Sequence, residues 1–312
     1  MKLIPNLSVS LLLLFTPAAF ADLIVSSSNN DRILRYDSST GAFLGDLVPA
    51  GSGGLDNPWG LTVGPDGKLY IASLFSNQVL RYNPAAGVLE PFAASSNLSP
   101  VGLTFGPDGN LYVTEGDDFD TRVHRFNGLT GADMGVFASG RTGYAYGLTF
   151  GVDGNLYVAN RDGNEIVRYN GATGTFLDTF AAVSHPRGLA FGPDGNLYVT
   201  NLLNNIVRCS SGTCVNFATL GGPGSDQLNT GLRFGPDGNI YAVHVLGNDV
   251  RCADGSTGSA CGINPFVSSG SGGLSGPSDL IFFDVPEPGT WWMILSGFGL
   301  SIWGKQRRRW IS

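Results

Sequence analysis

Residues Leu103–Glu115 read LTFGPDGNLYVTE, and close copies of this hairpin occur four more times in the 312-residue chain. They are LTVGPDGKLYIAS from Leu61, LTFGVDGNLYVAN from Leu148, LAFGPDGNLYVTN from Leu189 and LRFGPDGNIYAVH from Leu232. Each copy joins two short apolar runs through a Gly-Pro-Asp-Gly type of turn. Proline suits the second position of a type I turn, and the closing glycine takes positive φ without strain. The copies start 42, 45, 41 and 43 residues apart, and a degenerate start, LIFFD at Leu280, follows 48 residues later. A period of about 40–45 residues holding four strands is the signature of a β-propeller blade.

Within one period the first run is strand a, the run after the turn is strand b, NEIVRYN or its equivalent is strand c, and TFLDTFA or its equivalent is strand d. The N-terminal LIVSSSNNDRILRYDSSTGAFLGDLV supplies b, c and d without an a, and LIFF near the other end supplies an a alone. Pairing the two makes one blade from both ends of the chain and leaves no open sheet edge around the ring. Five complete units and this composite predict an all-β, six-bladed propeller over residues 22–284, with a short C-terminal transmembrane helix beyond it.

The ends carry different signals. Lys2, the apolar Leu11–Phe15 and Ala19-Phe20-Ala21 read as a secretory signal peptide over 1–21, so the mature chain would start at Asp22. At the far end, residues 285–312 hold Pro286-Glu287-Pro288, an apolar stretch over about 290–304 and a basic cluster over 305–309 that includes Arg307, Arg308 and Arg309. The apolar stretch is shorter than the ~20 residues of a full membrane span, but tryptophans flank it and the basic cluster suits a cytoplasmic end. Losing Lys2, Lys305 and the three arginines takes the net charge from −7 to −12. An acidic body without a basic stripe argues against nucleic acid as a partner.

The order Pro-Glu-Pro, apolar helix, arginine cluster resembles the PEP-CTERM sorting tail. That resemblance implies cleavage by an exosortase-type membrane protease, a transient inner-membrane anchor, and release to the outer surface or extracellular polysaccharide matrix of a Gram-negative bacterium. The repeat itself resembles NHL-repeat propellers and the related gluconolactonase (senescence-marker) and streptogramin-lyase propellers. These host many unrelated functions, so the motifs point to fold more than to activity.

The last residue of strand b varies from blade to blade: Ser27, Ser73, Glu115, Asn160, Asn201 and His244. It is expected at one mouth of the channel, beside the residue fourteen positions earlier: Trp59, Val101, Tyr146, Arg187 and Thr230. Glu115, Asn160, Asn201 and His244 offer oxygen donors and one imidazole, a set that can take Ca²⁺ or Mg²⁺. In the gluconolactonase family, which the chain resembles, acidic and amide side chains at the channel mouth hold such a cation. With His244 as acid or base, this describes a metal-dependent hydrolase or lyase. The alternative role for the two asparagines is to cap strand ends and start turns. Trp59, Tyr146, His185 and Arg187 form a candidate ligand rim, with His185 and Arg187 suited to an anion. His124 reads as a packed strand histidine, and Asp117, Asp118 and Asp120 as an acidic loop without EF-hand spacing.

Two readings of function stay open. One is an exported surface or matrix module whose rim binds protein, glycan or a small ligand; the other is the hydrolase or lyase. The four cysteines fall in two near pairs, each across a c–d hairpin, which in an exported protein predicts Cys209–Cys214 and Cys252–Cys261 disulfides. A four-cysteine metal site is the alternative. Arg35, Arg81, Arg125, Arg168, Arg208 and Arg251 recur in strand c, near the turn aspartates, and predict a belt of ion pairs at the opposite edge.

Overall fold

The computed structural model describes residues 21–95, 98–116, 120–203, 205–220 and 228–286, the side chains of 228–230 excepted. These residues form six sheets. Blade 1 runs, from the axis outward, Pro277–Phe283, Asp22–Ser27, Arg32–Tyr36 and Phe43–Val48. Its inner strand comes from the C-terminal side and its other three from the N-terminal side, so the ring closes as the sequence predicts. The seam pairs Leu23 with Phe282 and Val25 with Leu280.

Blades 2 to 5 are regular four-stranded meanders. They comprise Pro58–Val63, Leu69–Ser73, Gln78–Asn83 and Val88–Ala94; Pro100–Phe105, Leu111–Glu115, Val123–Phe126 and Asp133–Ala138; Ala145–Phe150, Leu156–Asn160, Glu165–Tyr169 and Phe176–Ala182; and Pro186–Phe191, Leu197–Asn201, Asn205–Ser210 and Thr213–Thr219. The a strands of neighbouring blades contact one another around the ring and line its centre.

Blade 6 departs from the expected complete unit. It has Leu228–Phe234, Ile240–His244 and Asp249–Ala253, and no fourth strand among the described residues. After Arg251 the chain reads CADGSTGSACGINPF, too rich in glycine, serine and proline to sustain a ladder. Isolated bridges Ala253–Ala260 and Val250–Val267 and the Cys252–Cys261 disulfide hold this segment against strand c instead. The second disulfide, Cys209–Cys214, joins directly opposed residues of strands c and d in blade 5. Both pairings agree with the sequence, and the described chain has no free cysteine.

A repeated aromatic unit fills the space between blades. Strand b of blades 2 to 6 carries Tyr70, Tyr112, Tyr157, Tyr198 and Tyr241. Each ring is met edge-on by two phenylalanines, for example Tyr112 by Phe137 of its own blade at 4.8 Å and by Phe150 of the next blade at 5.0 Å. In blade 6, Phe266 from the irregular segment takes the place of the missing outer-strand phenylalanine, 5.0 Å from Tyr241. Edge-to-face pairs of this kind contribute about 0.5–1.5 kcal/mol each beyond the area they bury.

Each of these tyrosines donates its hydroxyl to the aspartate of its own a–b turn, as in Tyr112 to Asp108 at 2.9 Å and Tyr241 to Asp237 at 2.8 Å. The strand-c arginines complete the belt. Arg81 Nη1 lies 3.8 Å from Asp66 and Arg168 Nη1 3.7 Å from Asp153, and both also pair outward, with Glu90 and Asp178. Arg35 pairs with Asp22, while Arg125 and Arg208 lie over Phe137 and Phe217. Arg251 is the exception, bonding Asp249 and the Leu220 carbonyl.

Among the described residues no helix is long and apolar enough to cross a membrane. The signal segment up to residue 20 and, in the tail, Glu287, Pro288, the apolar stretch and Arg307–Arg309 lie outside the described residues, as do Asp117 and Asp118.

Candidate functional site

The mouth at which a strands start and b strands end was expected to display the variable last residue of strand b. All six of these residues do end strand b, yet Ser27, Ser73 and Asn160 are fully buried, and Glu115, Asn201 and His244 nearly so. The reason is depth: strand b is second from the axis, so its end lies beneath its own b–c turn. The side chains there are engaged with the backbone and the first strand-c residues of the same blade.

The details differ in each blade. Ser73 Oγ accepts from the Asp56 N–H at 2.9 Å and donates to the Asp56 carbonyl at 3.1 Å. Ser27 Oγ pairs in the same way with the Ser275 backbone. Asn160 donates to Glu165 Oε1 at 3.0 Å and accepts from the Gly163 N–H at 3.2 Å. Asn201 Oδ1 accepts from the backbone of Leu203 and Asn205 at 3.0 and 3.2 Å. Glu115 meets His124 Nδ1 at 3.0 Å and Arg122 at 3.6 Å. His244 Nδ1 lies 3.0 Å from Asp249 Oδ1, which Arg251 also approaches at 3.1 Å. Buried N–H groups require partners, and Ser27, Ser73, Asn160 and Asn201 accept them from nearby backbone, while Glu115 and His244 meet side chains at or near the start of strand c. Each of these positions is thus engaged with different partners near its own blade.

The same geometry bears on the cation. The side-chain oxygens of Asn160 and Asn201 already accept backbone N–H groups, and Glu115 already faces Arg122 and His124. Among the described residues no three His, Cys, Asp or Glu side chains stand together as a metal-holding group. As arranged, Glu115, Asn160, Asn201 and His244 are not a Ca²⁺ or Mg²⁺ cage, and no chemical step below is routed through a metal ion.

The second expected set behaves differently. The residue directly opposite the end of strand b is fifteen positions earlier in four hairpins, as in Pro58 opposite Ser73 and Pro186 opposite Asn201, and sixteen earlier in Leu228 opposite His244. A register shift follows immediately, so the expected fourteen-residue partner is one step further along the inner strand and nearer the axis. There Trp59 of blade 2 meets Tyr146 of blade 4, ring centroids 5.8 Å apart, with Val101 of blade 3 in the same apolar cluster. Arg187 of blade 5 lies over the same tyrosine ring, 5.1 Å from its centroid. Three candidate rim residues thus meet at one mouth, from three blades.

Two members were missed. Arg161 follows Asn160 in the blade 4 turn and donates from Nη1 to the Tyr146 hydroxyl at 2.9 Å. Tyr144 lies beneath the same guanidinium, 5.1 Å away. The available signal was an arginine at a turn position where other blades have Leu74, Gly116, Leu202 and Val245. His185, the fourth expected rim residue, is half-buried, with φ 46°. Its contacts run to Ser184 Oγ at 3.1 Å and Asn164 Oδ1 at 2.9 Å. Asp120 accepts from the Gly140 N–H at 2.8 Å and so closes its own loop.

Comparison with known proteins agrees with this fold. Residues 52–257 match the model of the virginiamycin B lyase family. Virginiamycin B lyase from Staphylococcus aureus superposes with a TM-score of 0.53 at 18% identity, over 80% of this chain and 87% of that one. A gluconolactonase from Xanthomonas campestris gives 0.57 at 18%, over 71% and 78%. A Bacteroides caccae protein of unknown function gives 0.64 at 15%, over 84% and 98%. No curated protein matches the sequence significantly.

Proposed function

The chain belongs to the virginiamycin B lyase family, and on that premise we propose that it opens a cyclic ester, as a lyase or a lactone hydrolase, at the mouth where the a strands begin. The observation that carries this reading is the meeting of Trp59, Tyr146 and Arg187 from three blades over one end of the channel. Two aromatic rings set at an angle, with a guanidinium over one of them, can hold a ring substrate and orient it.

Ring opening needs a base, to take a proton from carbon in elimination or from water in hydrolysis. His244 with Asp249 suits that role. The carboxylate 3.0 Å from Nδ1 keeps the proton on that nitrogen and leaves Nε2 with the lone pair. His244 is 1% exposed, and a Cβ at Gly247 would fall 2.1 Å from its Nδ1. The 245–248 turn therefore closes over the ring and must shift for the imidazole to meet substrate. Loss of His244 in such a role costs about 10²–10⁴-fold in rate. The test is ester opening of a δ-lactone and of a cyclic depsipeptide, followed chromatographically, with wild type and His244→Ala. Opening by wild type that the variant retains in full removes His244 from the mechanism, and no opening by wild type removes the reading.

A second reading, binding without turnover, is favoured by the commitment of Glu115, Asn160 and Asn201 inside their own blades. In either case the two disulfides support an oxidising location. We place the protein outside the cytoplasm, with an exosortase-type protease as processing partner and surface glycan or protein as a neighbour.

A further inference from the structure

In blades 2 to 5 the strand ladder sets an arginine of strand c opposite the buried tyrosine of strand b: Arg81 and Tyr70, Arg125 and Tyr112, Arg168 and Tyr157, Arg208 and Tyr198. Each guanidinium lies over the strand-d phenylalanine of its blade, 5.0, 5.2, 5.9 and 5.6 Å from the ring centroid in turn. Each also bears on the aspartate of its a–b turn. In blade 6 the residue opposite Tyr241 is Cys252. Successive strand residues point to opposite faces, so Arg251 is turned to the other side, where it bonds Asp249 and the Leu220 carbonyl. A cysteine bonded to Cys261 therefore stands in the place of the arginine.

The rest of the unit is kept. Asp237 accepts the Tyr241 hydroxyl at 2.8 Å and the Asn239 side-chain amide at 2.7 Å, its side-chain partners among the described residues. Burial raises the hydroxyl pKa of Tyr70, Tyr112, Tyr157 and Tyr198, and the arginine of each blade pulls it back. At Tyr241 burial and Asp237 raise it, and Asn239 is the opposing group. Phe266 supplies the outer ring, 5.0 Å from Tyr241. Among these groups lies a cavity of about 420 Å³, bounded by Asp237, Tyr241, Phe266, the disulfide and Ile263, with Ser39 of blade 1 on its far side. That volume is in the range of small-molecule sites.

We propose that this cavity takes a small organic cation, a guanidinium or ammonium group on an apolar stem. The cation meets Asp237 and the Phe266 ring, as the chain's own arginine does in blades 2 to 5, and the stem lies against the disulfide and Ile263. A carboxylate beside an aromatic face holds such a charge by a charge-assisted hydrogen bond and by the ring quadrupole. The site is on the face of the a–b turns, opposite the mouth, and does not rest on ester opening there.

Calorimetric titration of the full chain with benzylguanidine, benzylamine, methylguanidine and benzyl alcohol tests it. Benzylguanidine or benzylamine should bind about tenfold or more tighter than methylguanidine, which lacks the stem, and than benzyl alcohol, which lacks the charge. Asp237→Asn should weaken the cation about tenfold or more and leave benzyl alcohol unchanged, with the folded near-ultraviolet spectrum kept. Cys252→Arg with Cys261→Ala returns a guanidinium to the blade and should abolish binding. If either variant does not fold, Ile263→Lys decides: it sets a competing ammonium at a rim position that is 54% exposed and should cost about tenfold. Equal affinity for benzyl alcohol, no binding of any probe, or wild-type affinity in a folded variant overturns the proposal. So does binding seen only when Lys2, Lys305, Arg307, Arg308 and Arg309, the basic residues outside the described span, are changed to Gln, since the chain would then fill the cavity itself.

Discussion

Asp279, on the inner strand of blade 1, accepts the backbone N–H of Leu61 in blade 2 on Oδ2 at 2.8 Å. The other five inner strands have glycine at this position: Gly60, Gly102, Gly147, Gly188 and Gly231. A Cβ at Gly60 or Gly147 would stand 2.4 Å from a carbonyl of the following blade. At the closing seam the chain instead places a carboxylate, which also takes the Leu280 N–H at 2.8 Å and lies 3.4 Å from Arg233 of blade 6. One side chain thus ties the closing blade to both neighbours.

Burial raises the Asp279 pKa above its usual 3.8, against the opposing pull of Arg233 and the two backbone N–H groups. A carboxyl whose folded pKa is raised stabilises fully below the unfolded value and loses that contribution as pH rises through the folded one. Relative to Asp279→Asn, which does not titrate, the wild type should therefore lose stability as pH climbs from about 4. Urea unfolding of both proteins across pH measures the difference, and a gap that stays flat or grows in favour of wild type refutes it. Asp279→Ala should cost about 1–3 kcal/mol near pH 4, because it strands the Leu61 N–H, and less as pH rises.

Six blades and their closure were legible because turn chemistry and period recur at intervals that nothing else explains. Depth was not legible. Polar residues at the ends of strands Leu111–Glu115 and Ile240–His244 look like a rim, since sequence shows polarity without showing that strand b is second from the axis. The Tyr–Asp and Tyr–Phe contacts hid in plain repetition: Tyr112, Asp108 and Phe137 have counterparts throughout blades 2 to 5, but their meeting depends on blade packing. Arg161 and Tyr144 sit in connections outside the repeat, where comparison between blades gives little guide. The outer strand of blade 6 was over-read because its cysteines imitate those of blade 5.

His124 stands where other blades have Leu34, Leu80 and Val167, and it is 13% exposed against Glu115 at 3.0 Å. The close approach of Glu115 raises its pKa above 6.5, with Asp133 assisting and burial and Arg122 opposing. A histidine raised in this way stabilises the fold below its unfolded pKa and ceases to as pH rises through the folded one. The stability gap between wild type and His124→Leu should be largest, in favour of wild type, near pH 5–6 and shrink towards pH 9 (order-of-magnitude limits set by the ordinary histidine range). A gap that widens with pH would contradict the pairing.

Asp22 opens strand b of blade 1: it pairs with Phe283 across the seam and its carboxylate meets Arg35. A signal-peptide cut between Ala21 and Asp22 would leave every strand of that blade intact. Mass spectrometry of the exported protein should therefore find an N-terminus at or within a residue or two of Asp22. A start beyond Ser27 would remove the strand that closes the ring, and its recovery from a folded protein would refute the assigned boundary.

The two disulfides are not equivalent. Cys209–Cys214 joins strands that already share a ladder, with one bulge, from Asn205–Thr219 to Ser210–Thr213. Cys252–Cys261 holds the segment that carries Phe266 onto Tyr241, where isolated bridges are the other backbone ties. By loop entropy alone the two short loops differ little, each stabilising by about 2–3 kcal/mol. Packing separates them, because loosening the second also endangers the ring contact beneath it. Paired Cys→Ala replacement at 252 and 261 should cost more than the same change at 209 and 214, by about 1–2 kcal/mol in urea unfolding, the scale of an aromatic pair contact. Phe266→Ala, at about 3–5 kcal/mol, should make most of that excess disappear when combined with the 252 and 261 replacements. Equal losses for the two disulfides would show that the segment stays docked without its covalent tie.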